Sequence, residues 1–273
     1  MTKCCYCRDE RELCKSHAIP KAIFRDMKDK QDSGDLIFIG SEGPIRLEGQ
    51  EGAWRLLCEA CEQLFNQQYD KYFVDMIRSW SDDILEAKSC MTRPECPEWF
   101  ARSIASIIWR ASISNSPFYR GFTLTGRVEN ILREMLMSEE GSIYSLASFK
   151  VEKLCDPDGD IAFKELANKI LMPKRANNMP DLGMYKEHMS IVTIFSGFQF
   201  TMVLPSISKM DRNKFKFLGR PGKRISAPYV DVFSLPWFRD IALNVSSKTK
   251  SGHMTRGFKR AQEKRKKHKP RKK

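Results

Sequence analysis

Nothing in this sequence approaches the unbroken apolar run of about 18 residues that a membrane-spanning helix needs, and the opening stretch MTKCCYCRDE has no apolar signal core. Neither a membrane span nor secretion is therefore expected, and the chain reads as a cytoplasmic protein. A phosphate-cradling glycine loop is also lacking, since Gly40, Gly43 and Gly49 do not follow a strand-to-helix turn. Histidine is scarce: of four, His188, His253 and His268 stand isolated, so no Ser-His-Asp arrangement can be assembled. Internal repeats are absent too. The remainder is that of a globular protein, 273 residues with 41% apolar and 11% aromatic content, enough to bury a core as one large domain or two modest ones.

The net charge of +13 is concentrated in one place. Residues 248–273 hold thirteen Lys or Arg against a single acid, Glu263, which leaves the first 247 residues nearly neutral. A run such as Lys264-Arg265-Lys266-Lys267, continued by Lys269, Arg271, Lys272 and Lys273, repels itself and cannot pack a core, so a disordered basic tail is expected. Its natural partner is nucleic acid, DNA or RNA, held through salt-sensitive phosphate contacts. A solubilising tail or a nuclear address is the plainer reading of the same residues.

Nine cysteines are present, and four form two CxxC pairs, Cys4/Cys7 and Cys58/Cys61. In a reducing compartment paired CxxC turns point to metal rather than to disulfides. Zn²⁺ takes four thiolates in a tetrahedron, and each CxxC turn delivers two. The spacing thus predicts a structural zinc site on Cys4, Cys7, Cys58 and Cys61. Because the second pair opens directly into a helical pattern, the module is expected to be a treble clef. Cys5 and Cys14 compete weakly for the first pair, whereas Cys90, Cys96 and Cys155 read as buried thiols.

Periodicity supplies the rest of the fold, which is expected to be α+β. A short helix is predicted from Pro20 to Lys28, a strand at 54–58, and a helix from Glu59 to about Arg78 with Leu64, Phe65, Tyr69, Tyr72, Phe73, Met76, Ile77 and Trp80 on one face. Further helices are predicted at Pro97–Ser114 and Thr125–Met137. Residues 30–52 read as a long hairpin or insertion loop around the strand-like 36–39. Beyond 140 the texture is β-branched and aromatic, with strands at 142–153, 189–195, 198–204 and 228–234, a hairpin at Ser196-Gly197, and a short helix near Pro236–Asn244. These divide the chain into a zinc module at 1–80, a helical segment at 81–140, an α+β domain at 141–247 and the tail at 248–273.

Between the thiol pairs lies Cys14-Lys15-Ser16-His17-Ala18-Ile19-Pro20. A CxxC, then Ser-His-x-Ile-Pro, then Leu-Leu-Cys-x-x-Cys-Glu-x-x-Phe resembles the HNH or His-Me finger nucleases, and in particular a bacterial group labelled HNH-like; the likeness covers residues 4–73, and Ile108-Trp109-Arg110-Ala111-Ser112 fits the same group. The resemblance implies a metal-dependent endonuclease acting on DNA or RNA, in which His17 deprotonates the attacking water and Mg²⁺ or Mn²⁺ steadies the phosphorane. By position, Ser16 and Glu62 would hold that ion, with Asn66 one helical turn on. The family has Asp or His where Ser16 stands and Asn or His where Glu62 or its neighbours stand.

Plainer roles exist for the same residues. His17 could be a zinc ligand or a core histidine. Glu62 at a helix N-terminus is favoured by the macrodipole whatever it does. Arg110 is expected to snorkel or to pair with an acid rather than clamp phosphate, and Tyr69, Tyr72 and Phe73 to pack the core rather than stack on bases. A catalytically silent zinc-dependent nucleic-acid-binding protein and a protein–protein module are the two alternatives to the nuclease.

Overall fold

A computed structural model describes residues 2–29, 36–38, 46–48, 52–81, 89–92, 97–119, 123–138, 140–155, 170–176, 188–219 and 225–235. The expected helix at Pro236–Asn244 and the basic tail lie outside the described residues, as does most of 30–52. The fold is α+β, with the four-cysteine cluster at its N-terminal end.

The N-terminal part begins with a small ribbon, β1 (Thr2–Lys3) against β2 (Glu10–Arg11), wrapped around the first CxxC turn. Next comes β3 (Leu13–Ser16), which pairs antiparallel with β6 (Trp54–Cys58), with a bulge between Cys14 and Lys15. Helix α1 (Lys21–Asp29) follows β3 and buries Ile23, Phe24 and Met27. The predicted long helix is present but not uniform. It runs as α2 (Glu59–Phe65), one wide π turn at Asn66–Asp70, and α3 (Lys71–Ser81). A π turn places both Tyr69 and Asp70 inward, which a regular reading of the apolar stripe did not include for Asp70.

Helix α4 (Pro97–Ile113) is the axle of the molecule, buried at every position from Phe100 to Ser112. A helix apolar all round must be covered all round: α3 and the π turn cover one side and α5 (Gly126–Met137) another. The buried Arg102 of α4 stops α5. Its guanidinium donates to the carbonyls of Met135 (2.6 Å), Ser138 (2.9 Å) and Gly141 (2.8 Å), satisfying carbonyls that a helix end leaves orphaned.

The second layer is an eight-stranded sheet in the order β5-β4-β9-β10-β11-β8-β12-β7. Its centre is the predicted hairpin, β10 (Met189–Phe195) and β11 (Phe198–Leu204), whose two-residue turn has positive φ at both Ser196 and Gly197. That geometry matches the right-handed twist of the strands it joins. Every residue of β11 is buried, so both faces are covered. Strand β8 (Ser148–Cys155) flanks β11, and β12 (Ile225–Asp231) runs parallel to β8. Strand β9 (Ile170–Ala176) lies on the other side of β10. The predicted strand over 142–153 is shifted, its first residues forming a 3₁₀ turn at Ile143–Ser145. A short helix not expected from the sequence, α6 (Lys209–Lys214), is capped by Ser208.

Both edges of this sheet come from the N-terminal half of the chain. Strands β4 (Leu36–Phe38) and β5 (Arg46–Glu48) form a hairpin that joins β9 in parallel, and β7 (Ser89–Thr92) joins β12. Aromatic rings weld the layers: Phe73 of α3 lies 5.7 Å from Phe195 and 5.4 Å from Phe200, and Trp80 lies 5.4 Å from Phe198. One apolar cluster therefore extends from Cys4 to Ala227, and residues 1–80, 81–140 and 141–247 all contribute to it.

Candidate metal centre and the polar cluster beside it

The first CxxC turn is shaped by its own backbone. The Cys4 N–H donates to the Asp9 carbonyl (2.9 Å) and the Arg8 N–H to the Cys4 carbonyl (3.0 Å), with Arg8 in the left-handed region at φ 69°. Its neighbour Cys5 donates its N–H to Leu56 of β6 (3.0 Å). The turn is thus stitched to the strand that carries the second pair. At the end of β6, Cys58 is the extended residue before α2, and Cys61 lies in the first turn of that helix.

These restraints bring four sulfurs together. The Sγ atoms of Cys4, Cys7, Cys58 and Cys61 all lie within 4.8 Å of one another, with Cys7 to Cys58 at 3.9 Å. A disulfide would need about 2.05 Å. A tetrahedron of thiolates about 2.3 Å from Zn²⁺ has edges of about 3.8 Å, so the separations fit a shared metal ion. The four cysteines could bind a metal such as zinc. Cys5 and Cys14 fall outside the group.

Electrostatics agree with that chemistry. Burial works to raise the Cys4 thiol, but the backbone amides of Cys58, Cys7 and Tyr6 outweigh it and hold the thiol below its ordinary value; the Cys58 N–H donates to Cys4 Sγ at 3.3 Å. Burial and crowding by neighbouring thiols push Cys61 well up, and burial pushes Cys7 up. Four thiols at this distance without a cation are mutually unfavourable as thiolates, and a divalent ion removes that conflict.

The knuckle is braced from below. Tyr6, between the two ligands of the first turn, buries its ring edge-on to Phe65 (4.9 Å) and Trp109 (5.8 Å) and donates its hydroxyl to the Leu136 carbonyl at 2.8 Å. Tyr69 donates to the same carbonyl at 2.9 Å. With Phe73 it belongs to the core, as their helical spacing predicted. Arg133 of α5 donates to the Tyr6 carbonyl (3.0 Å), so the four-cysteine cluster is fixed against α4 and α5 rather than standing alone.

Beside the thiols, β3 ends at Ser16 and hands the chain to His17. Ser16 is fully buried and its Oγ has no hydrogen-bond partner; His17 is half-buried. Helix α2 packs on β3, and from its first turn Glu62 presents a buried Oε2 that is likewise unpartnered. Asn66, four residues on, is exposed. Burial raises the Cys14 thiol, and the nearby charges of Glu59, Glu62 and Cys58 add to that; Cys14 lies beside α2 and the cluster without being one of its four members.

A residue that no spacing in the sequence marks completes the picture. Asp70, brought inward by the π turn, accepts two hydrogen bonds from the fully buried Arg110, Nη1 to Oδ2 at 3.0 Å and Nη2 to Oδ1. Burial acts against the Arg110 charge, but Asp70 overcomes it and raises the guanidinium further above its ordinary value, with Glu62 and Tyr119 adding to the effect. Tyr119 is completely buried and its phenol is pushed up by that burial; the Ile19 amide and Arg110 lie near its hydroxyl, which completes no hydrogen bond. Arg110 is thus held by Asp70, with longer contacts to Ser106 of its own helix and to the face of Phe65. The expectation that Arg110 pairs with an acid identifies its role; the partner had to come from the fold.

Among the described residues no helix is long and apolar enough to cross a membrane. Compared with known proteins, the chain matches no family model, and neither a curated protein nor a solved structure is similar to it.

Proposed function

We propose that the chain is a metal-dependent phosphodiesterase acting on DNA or RNA, of the HNH-like kind that residues 4–73 resemble, built on a structural zinc ion held by Cys4, Cys7, Cys58 and Cys61. A thiolate site of this kind needs a reducing compartment, which the cytoplasm supplies. The observation that carries the reading is the pair of buried, unpartnered oxygens, Ser16 Oγ and Glu62 Oε2, on β3 and α2, two elements that pack on one another beside the thiol cluster, with His17 next after Ser16 in the chain. An orphaned buried oxygen costs roughly 1–3 kcal/mol. Such oxygens fit a ligand that completes them.

Mg²⁺ or Mn²⁺ held by Glu62, Ser16 and Asn66 would supply Lewis-acid stabilisation of the phosphorane. Within the chain, His17 takes the proton of the attacking water. Glu62 would anchor that ion through its unpartnered carboxylate oxygen. The basic residues Lys264, Arg265, Lys266, Lys267, Lys269, Arg271, Lys272 and Lys273 raise the local concentration of substrate by phosphate attraction.

One observation favours a second reading. Ser16 is neutral where the resembled family carries Asp or His, which suits a protein that binds nucleic acid without cutting it. The two diverge in a cleavage assay over DNA and RNA substrates with Mg²⁺ or Mn²⁺. Hydrolysis abolished by His17→Ala at unchanged zinc content supports the nuclease. No cleavage by the wild type, with salt-dependent binding lost on removing residues 248–273, supports the binding protein.

A further inference from the structure

Beside the first CxxC turn, the small ribbon β1–β2 and the β3–β6 strand pair line an open groove of about 970 Å³, to which Cys5 also contributes. Lys3, Arg11, Lys15 and Arg55 line it against one carboxylate, Glu12. Trp54, 41% exposed, forms part of its wall. Trp54 is the aromatic among the large apolar side chains exposed in the described residues; the others are Met137, Leu146 and Met210.

Two features give this groove a preferred occupant. Lys15 and Arg55 stand directly opposite one another across β3 and β6. Like charges in that position destabilise a hairpin unless an anion lies between or above them. Arg55 is held along the strand by donating to the Leu13 carbonyl (3.3 Å) and Arg11 pairs with Asp9 (3.2 Å), but among the described residues Lys3, Lys15 and Arg55 have no carboxylate partner. The second feature is Trp54 itself, directly opposite Ser16, the residue before His17. An exposed ring in the wall of a groove that cations also line is a platform on which unpaired bases stack while the phosphates follow the charges. A duplex would offer the ring no free base face.

We propose that this groove binds single-stranded nucleic acid, with a base stacked on Trp54 and the phosphates along Lys15, Arg55 and Lys3. It rests on the nucleic-acid reading above for the class of ligand, and it narrows that class to unpaired strands or ends, on the strand pair whose β3 leads into His17. The occupant is a polyanion with exposed bases, not an acidic peptide, which has charge but no flat base to stack.

The test uses the full-length protein and fluorescence-anisotropy titrations with a short oligo(dT) and a duplex of equal length, without added Mg²⁺ or Mn²⁺. Trp54→Ala should weaken oligo(dT) binding roughly 5- to 100-fold and leave the duplex, held by the tail, unchanged; Trp54→Phe should restore most of the loss. The double variant Lys15→Gln/Arg55→Gln should reduce the slope of log affinity on log salt by about 1.4, two phosphate contacts on a single strand. Unchanged oligo(dT) affinity in Trp54→Ala, equal loss on oligo(dT) and duplex, or polyglutamate competing as well as oligo(dT) would overturn the proposal. All three positions are exposed, and equal zinc content in each variant shows that the module is intact. Cleavage is read separately. A wild type that binds through Trp54 and cuts nothing sinks the hydrolytic reading alone; one that cuts with KM and kcat indifferent to Trp54→Ala sinks the groove alone.

Discussion

Replacing Asp70 by Ala removes the partner of the most deeply buried cation described. The Arg110 side chain is 0% exposed and that of Asp70 only 12%. After the change, the guanidinium keeps long contacts to Ser106 (3.3 Å to the carbonyl and 3.5 Å to the hydroxyl), the face of Phe65 at 5.2 Å and the field of Glu62. Two charge-assisted hydrogen bonds at about 1.5–3 kcal/mol each are lost, and breaking a buried pair from one side costs about 3–5 kcal/mol because a charge is left uncompensated. We therefore expect Asp70→Ala to lower stability by about 3–5 kcal/mol, measured as a shift in the urea midpoint at constant slope. The double change Arg110→Met/Asp70→Leu removes both charges and should recover most of that loss. A single variant costing under about 1 kcal/mol, or a double variant no better than the single, would refute the claim that this pair is desolvated and mutually dependent.

Other outcomes follow from the same structure. Arg102→Met should cost about 3 kcal/mol by freeing the carbonyls at the end of α5, and amide hydrogen exchange should rise first around Met135–Gly141. Gly52 has φ +61°, and a Cβ there would meet the Phe118 ring at 2.8 Å; Gly52→Ala should lose at least about 1–2 kcal/mol from the left-handed backbone alone, read in the same urea titration. Burial pushes the Cys7 and Cys61 thiols up, and a metal takes its cysteine ligands as thiolates, so uptake should release protons. Affinity should rise with pH and fall on acidification, and a weakly buffered titration of zinc into stripped protein should release acid. Uptake with no proton release would show that the thiols are already ionised.

The parts legible in the sequence were those set by neighbours along the chain. The helices at 59–81, 97–113 and 126–137 follow from apolar residues at three- and four-residue spacing, and the 189–204 hairpin from Ser196-Gly197 between two β-branched runs. The thiol cluster was legible because a CxxC turn specifies its own geometry and two such pairs make a four-thiol set that one zinc ion could hold. Other features depend on partners far away. The segment 36–48 reads as an isolated hairpin, and only tertiary pairing makes it an edge of the sheet. Strand β9 was hidden because Pro173 interrupts its pattern. Asp70 carries no signal of its own, being one polar residue in a helix until a π turn rotates it onto Arg110, 40 positions away. The groove around Trp54 draws its cations from four strands, so no local charge run announces it.

The account depends on one convergence, that of Cys4 and Cys7 with Cys58 and Cys61 on a single ion, beside which β3, the strand that leads into His17, packs on α2. Metal content measured by mass spectrometry on protein purified under reducing conditions tests this most directly. One zinc per chain, lost together with the folded N-terminal module in Cys58→Ser, is the predicted result; a folded, reduced protein that carries no metal and is indifferent to Cys58→Ser would contradict it.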